Sequence, residues 1–259
     1  PHHLAKVSRY LDVTRSALLF GGRVMLIEGI AESLLLPVFA ERLFLNRHDP
    51  NHEDRIRWKR FKSTTLIAID GVDFEPYVRL LLTSYKEPGG STSIRIADKV
   101  VVVTDRDPGV PGDRIEALQS IGTDLGAGKD LIVRANDLSF EQTLYTEANA
   151  PLLRAAFLDV HPRSQERWQS EIAEKADGEQ ADGFWGLFAS KTNAVRKGDY
   201  AQALATLLAP KRDEYVPKAF KDEHKDAGNG DTAYREAIAA FEIPKYIRQA
   251  LEVVVAGDE

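Results

Sequence analysis

Short uninterrupted apolar runs recur in the first half of the chain, and three of the four end on an acidic residue. Val24-Met25-Leu26-Ile27 runs into Glu28-Gly29, and Thr64-Thr65-Leu66-Ile67-Ala68-Ile69 into Asp70-Gly71. Lys99 to Thr104 runs into Asp105-Arg106-Asp107-Pro108-Gly109, and Asp130 to Arg134 forms a fourth run. Between the runs the pattern changes to helical spacing, over Glu32 to about Leu45, Phe74 to about Tyr85 and Arg114 to Ser120. Continuous apolar strands alternating with helices predict an α/β fold, with a mostly parallel sheet covered on both faces. Right-handed crossovers then place every strand C-terminus on one edge. Ahead of the first strand, Leu4, Val7, Leu11, Ala17 and Leu18 predict a helix that ends at Gly21-Gly22.

From about Phe140 the β-branched runs vanish and helical patterns dominate. Tyr200 to Leu208, Tyr234 to Phe241 and Tyr246 to about Val254 are examples, the last starting behind Pro244. The expectation is an α/β domain over residues 1–145 and a second, all-helical domain over 146–259.

The 259 residues are 43% apolar and 29% charged, enough for a sizeable core in one large domain or two ordinary ones. No apolar run approaches the roughly 18 residues that cross a bilayer, so no membrane partner is expected. Pro1-His2-His3-Leu4 is not followed by the apolar segment of a signal peptide. The absence of cysteine excludes disulfides and thiolate metal sites, and a cytoplasmic setting is the natural reading. A net charge of −6 argues against a generic nucleic-acid binder. Carboxylates that gather Mg²⁺ add negative charge locally, however, so the distribution matters more than the sum.

That distribution centres on Glu28, Asp70 and Asp105, one after each of the first three strands. Ligands of open α/β sheets bind outside the strand C-termini. Several carboxylates there repel one another unless a cation sits among them, and hard cations such as Mg²⁺ take oxygen ligands. The plainer reading makes each one a helix cap or turn former, and Asp70-Gly71 suits a turn well. Asp105 and Asp107, two apart at a strand end, can converge on one point. Glu32, four residues after Glu28, can look back over the same edge from the first turn of its helix.

With these residues in place, "VMLIEGIAESLLLP" (24–37) followed by "VVVVTDRDPG" (100–109) resembles a Toprim domain, the domain shared by topoisomerases, primases and several nucleases. The E-G-x-x-E arrangement more narrowly resembles the OLD (overcoming lysogenization defect) family of nucleases. So do "FEQTLYTEANAPLL" (140–153), "KGDYAQALATLL" (197–208) and "FEIPKYIRQAL" (241–251), which extend the resemblance over essentially the whole chain. It implies a metal-dependent DNA endonuclease with Glu28, Glu32, Asp105, Asp107 and Glu141 near two Mg²⁺ or Mn²⁺ ions. Two such ions clamp the attacking and leaving oxygens of an in-line phosphodiester displacement. The resemblance gives Lys197 the role of stabilising charge on the phosphoryl oxygens. A solvated lysine at a helix start is the competing reading. The catalytic set is then Glu28, Asp105 and Lys197, and the partner is DNA. Proteins of this family usually carry an ATPase domain ahead of the Toprim domain. The chain has no G-x-x-x-x-G-K-[ST], so the resemblance implies the C-terminal catalytic region of a longer ATPase-nuclease, with that N-terminal domain as a partner.

Other features stay open. Arg55-Ile56-Arg57-Trp58-Lys59-Arg60-Phe61-Lys62 is the densest basic stretch. It reads either as a phosphate-contacting surface or as a solvated helix face with Trp58 and Phe61 packed inward. Lys191, Arg196 and Lys197 form a second basic group. His48 and His52, with Asp49 and Glu53, read as a polar surface loop. Asp73 and Arg106 have no assigned role. Two other function classes compete with the nuclease: a phosphohydrolase or phospho-acceptor on a doubly wound sheet, and a non-catalytic interaction module. The first places an aspartate after strand one, where this chain has Glu28. In the second, the carboxylates serve only as caps.

Overall fold

Among the described residues there are six strands, β1 (Arg23–Ile27), β2 (Thr65–Ala68), β3 (Tyr85–Lys86), β4 (Ser93–Ile94), β5 (Lys99–Asp105) and β6 (Leu131–Asn136), and the four apolar runs supply β1, β2, β5 and β6. The computed structural model describes residues 22–45, 52–86, 93–106, 114–209, 216–225 and 228–257. The helix expected over the first twenty residues lies outside them, as do His48, Asp49 and Asp107.

Four strands form a parallel sheet in the order β2-β1-β5-β6. Leu26 stands opposite Ile67 on one side and Val102 on the other, and Val102 opposite Val133. The long valine run therefore occupies an interior strand, where both faces must be apolar. Val24, Leu26, Val100 and Val102 pack with Phe74, Val78, Leu81, Leu118 and Ile121, contributed by the helices Glu75–Leu82 and Arg114–Asp124 and the turn before the first. Strand alternation leaves Met25, Ile27, Val101 and Val103 to the opposite face, and they are equally buried. The helix Lys245–Val255 packs on β5, β6 and β1. The antiparallel ribbon of β3 and β4 has no counterpart in the sequence reading, because its exposed two-residue strands carry no apolar run.

The chain separates into two compact units. One holds the sheet, up to Gly29, then Ala40–Asp137 and Lys245 onward; the other holds Ile30–Phe39 and Leu138–Pro244. This differs from a single cut near residue 145, since the last helix belongs with the sheet. Two arginines explain it. Arg60 Nη1 donates to the Val255 carbonyl at 3.1 Å and Arg23 Nη2 to that of Ala256 at 3.3 Å, so cations meet the open carbonyls at the helix C-terminus. Arg60 belongs to the basic stretch, which forms the helix His52–Lys62. There Phe61 is buried, Trp58 stacks on it at 5.9 Å between ring centroids, and Arg57 pairs with Glu53. The inward-packed helix is what the structure shows for this stretch.

In the second unit the described residues are helical throughout, apart from turns and a π-helical turn at Gln169–Ala173. Asn149 fastens two distant parts of it. Its Nδ2 donates to the carbonyls of Leu144 (2.8 Å) and Glu242 (2.9 Å), and its Oδ1 accepts from the Glu242 amide at 2.7 Å. The side chain is fully buried, so no water can replace it. Asn149→Ala strands three backbone groups and is expected to destabilise the chain by about 3 kcal/mol. Urea unfolding measures this as a lowered midpoint with an unchanged slope.

Candidate active site

The sheet register decides what surrounds Glu28. Two residues beyond the paired Leu26 and Val102 come Glu28 and Thr104. The Glu28 carboxylate is consequently met by β5. Thr104 Oγ1 and the Asp105 amide, at 2.8 Å, both donate to Glu28 Oε1. The Arg114 guanidinium approaches the same oxygen at 3.5 Å. Its Nη1 also donates to Thr104 Oγ1 at 2.9 Å and to the Asp105 carbonyl at 3.1 Å. All of these contacts reach Oε1. Glu28 and Arg114 are each only about a fifth exposed, so their attraction is less screened than that of a surface pair.

Asp105 is the last residue of β5, opposite Asn136 of β6. Sheet geometry thus brings Glu28 and Asp105 together at one strand edge. Asp70 joins them at the end of β2, where the Gly71 amide donates to the Glu28 carbonyl at 3.1 Å. Asp70 has φ +49°, a left-handed conformation that aspartate tolerates better than most residues, and its side chain is exposed. The turn role expected for it fits that geometry. The Arg106 amide bonds to the Asn136 carbonyl at 2.7 Å and its guanidinium lies 3.3 Å from Asp137, which gives this residue a place in the fold.

The remaining candidates lie in the second unit. Glu32 is in the first turn of the helix Ile30–Phe44, as its spacing from Glu28 predicts, and is half-buried. Glu141 is in the first turn of Phe140–Leu144. A capping box starts that helix: the Gln142 amide donates to Ser139 Oγ and the Gln142 side chain accepts from the Ser139 amide. The cap fixes the backbone, and the Glu141 side chain turns inward, only 6% exposed. There it meets Lys197, the first residue of Lys197–Leu208, with Nζ 2.7 Å from Oε1. Residues 56 apart in sequence, which the resemblance placed at one site, are therefore an ion pair. Lys197 is half exposed. Below the pair lies Tyr200, buried against Phe184 and Phe188, with its hydroxyl donating to the Leu153 carbonyl at 3.0 Å. Burial, and then the Glu141 carboxylate, hold its phenol well above the usual tyrosine range.

Glu28, Asp105, Glu32 and Glu141 all offer hard oxygen donors, the chemistry that Mg²⁺ and Mn²⁺ prefer. No described residue donates to Glu28 Oε2, which leaves an anionic oxygen for such an ion. In these respects Glu28 and Asp105, taken by themselves, fit a divalent cation. Among the described residues, no three His, Asp or Glu gather closely enough to hold a metal alone. Asp107, which the sequence adds to the set, lies outside the described residues. Thr104 and Arg114 were missed by the sequence reading. Thr104 looks like one more strand residue, and Arg114 stands at the start of a helix nine residues beyond Asp105.

The Glu141–Lys197 pair carries its own prediction. Removing the lysine leaves a buried carboxylate without a counter-charge, although the half-exposed ammonium is partly screened by solvent. Lys197→Met is expected to cost about 1–3 kcal/mol, and a double-mutant cycle with Glu141→Gln to show coupling above about 1 kcal/mol. Chemical denaturation of the four proteins measures both.

No protein-family model matches the sequence. No curated protein matches it either. Among solved structures, the C-terminal region of the Xanthomonas campestris pv. campestris OLD protein aligns at 21% identity and a TM-score of 0.49, covering 91% of this chain and 95% of that one. The C-terminal region of the Burkholderia pseudomallei OLD protein aligns at 21% identity and a TM-score of 0.36, covering 90% and 99%. The described residues contain no helix long and apolar enough to cross a membrane. Over nine-tenths of its length, this chain is similar to C-terminal regions of OLD proteins.

Proposed function

We propose that this chain is a Mg²⁺- or Mn²⁺-dependent DNA endonuclease that works by a two-metal mechanism, with Glu28, Glu32, Asp105, Asp107 and Glu141 as metal ligands. The observation that carries the reading is the carboxylate edge of the sheet. Glu28 follows directly on β1 and Asp105 ends the adjacent β5, and the described donors to Glu28 all reach its Oε1. That leaves Oε2 with no donor among the described residues. When bound, divalent ions supply activation of a water and neutralisation of charge at a phosphodiester.

The chain's own residues do the rest. The sheet fixes the positions of Glu28 and Asp105, because β1 and β5 are interior strands with buried faces. Lys197 presents a half-exposed ammonium that Glu141 holds at 2.7 Å. It is placed to offset charge that builds on the phosphoryl oxygens during the displacement. Glu141 holds that ammonium in place, a positioning role in addition to the ligand role that its sequence context suggests.

The same resemblance supports an N-terminal ATPase domain on a longer parent chain. It also supports DNA, rather than a small phosphate ester, as the substrate.

The test is a supercoiled-plasmid assay. The protein is expected to nick or cut the plasmid with Mg²⁺ or Mn²⁺ and to stop when EDTA is added. Asp105→Ala is expected to lower the rate at least about a hundredfold, as loss of transition-state stabilisation does. Cleavage that persists in EDTA, or at full rate in the folded Asp105→Ala protein, contradicts the reading.

A further inference from the structure

We propose that Thr104 and Arg114 are the positioning residues of Glu28, forming a one-way hydrogen-bond relay that fixes it as a metal ligand through a single oxygen. The inference rests on the metal-dependent reading above and adds to it the two residues that hold the ligand.

The direction of the relay follows from donor chemistry. Arginine has only N–H donors. Its Nη1 donates to Thr104 Oγ1 at 2.9 Å, so the threonine hydroxyl must accept there. The hydroxyl has one proton and two acceptors in reach, and the proton goes to Glu28 Oε1, the much shorter contact, rather than to the Asp105 carbonyl at 3.2 Å. The Asp105 amide donates to the same oxygen at 2.8 Å. Arg114 also grips the Asp105 carbonyl at 3.1 Å, which ties the amide's own strand end to the relay. Two hydrogen bonds and one ion pair thus converge on Oε1, while no described residue donates to Oε2.

A carboxylate held by one oxygen loses rotational freedom and keeps a single ligand atom in a fixed direction. Metal sites commonly orient their ligands in this way, through partners that never touch the ion. Thr104 is itself only 2% exposed, so water cannot stand in for its hydroxyl. Arg114 serves a second end. It keeps a partly buried carboxylate paired before any ion arrives, through Oε1.

The experiment uses the full chain and Mn²⁺ as probe, with free ion counted by electron paramagnetic resonance. Thr104→Val preserves shape and β-branching while removing the relay, and it is expected to raise the Mn²⁺ Kd by about tenfold. Thr104→Ser restores the hydroxyl and is expected to bind within about twofold of the parent protein. Arg114→Lys keeps the charge but loses the planar fork, and it is expected to weaken binding about three- to fivefold. A purely structural threonine would lower the unfolding temperature while leaving the Kd of the folded protein unchanged. An unchanged Kd in folded Thr104→Val therefore overturns the proposal. If that variant does not fold, an unchanged Kd in Arg114→Lys overturns it instead. A folded parent protein that binds no Mn²⁺ overturns the metal reading itself, and this inference with it.

Discussion

The parallel register of β1 against β5 is the constraint on which the rest depends. Pairing Leu26 with Val102 brings the residues two steps further along, Glu28 and Thr104, to the same edge. A slip of one residue would turn Glu28 toward the opposite face and bury it among valines. The register is held because both strands are interior and apolar on both faces, so any slip also misplaces Met25, Leu26, Val101 and Val102. The same contacts that stabilise the core therefore fix the acidic residues. A site built on strand ends inherits their rigidity, whereas one built on a loop would have to be ordered by the ligand.

Electrostatics at the two candidate carboxylates are solved differently. Glu28 is paired through donors that converge on one oxygen, one of them the half-step relay from Arg114. Glu141 is nearly buried and leans on a single ammonium, that of Lys197. In both, the counter-charge comes from a helix N-terminal residue, Arg114 or Lys197. A cation at a helix start works against the helix dipole, a cost of a few tenths of a kcal/mol to about one. The pairing with a carboxylate offsets that cost. This accounts for basic residues in a position where helix stability alone would favour acidic ones.

Much of the fold was legible in the sequence, for identifiable reasons. β-branched apolar runs such as Val100–Val103, alternating with helical patterns, point to interior strands of a parallel sheet. The switch to helical spacing after Phe140 marks the second unit. The return of Lys245–Val255 to the sheet was not legible, because its apolar face gives no sign of which distant element it packs on, and Arg23 and Arg60 meet its end from roughly two hundred residues away in the chain. Asn149 was hidden for the same reason: its partner Glu242 is 93 residues distant. At the site, ordered acidic residues after strands pointed to Glu28 and Asp105, and the family resemblance to Glu141 and Lys197, but nothing in the sequence indicated that those two form an ion pair. Thr104 and Arg114 stayed invisible, since an alternating strand reading gives no sign of which hydroxyl faces a carboxylate.

The central claim is that the sheet edge at Glu28 and Asp105 holds a divalent cation. Anomalous scattering from crystals grown with Mn²⁺ tests it most directly. The account predicts a manganese peak bonded to Glu28 Oε2, with the Asp105 carboxylate on the same ion and Glu28 Oε1 still held by Thr104. Well-ordered crystals with no manganese at Glu28, or with the ion bound only elsewhere, would contradict it.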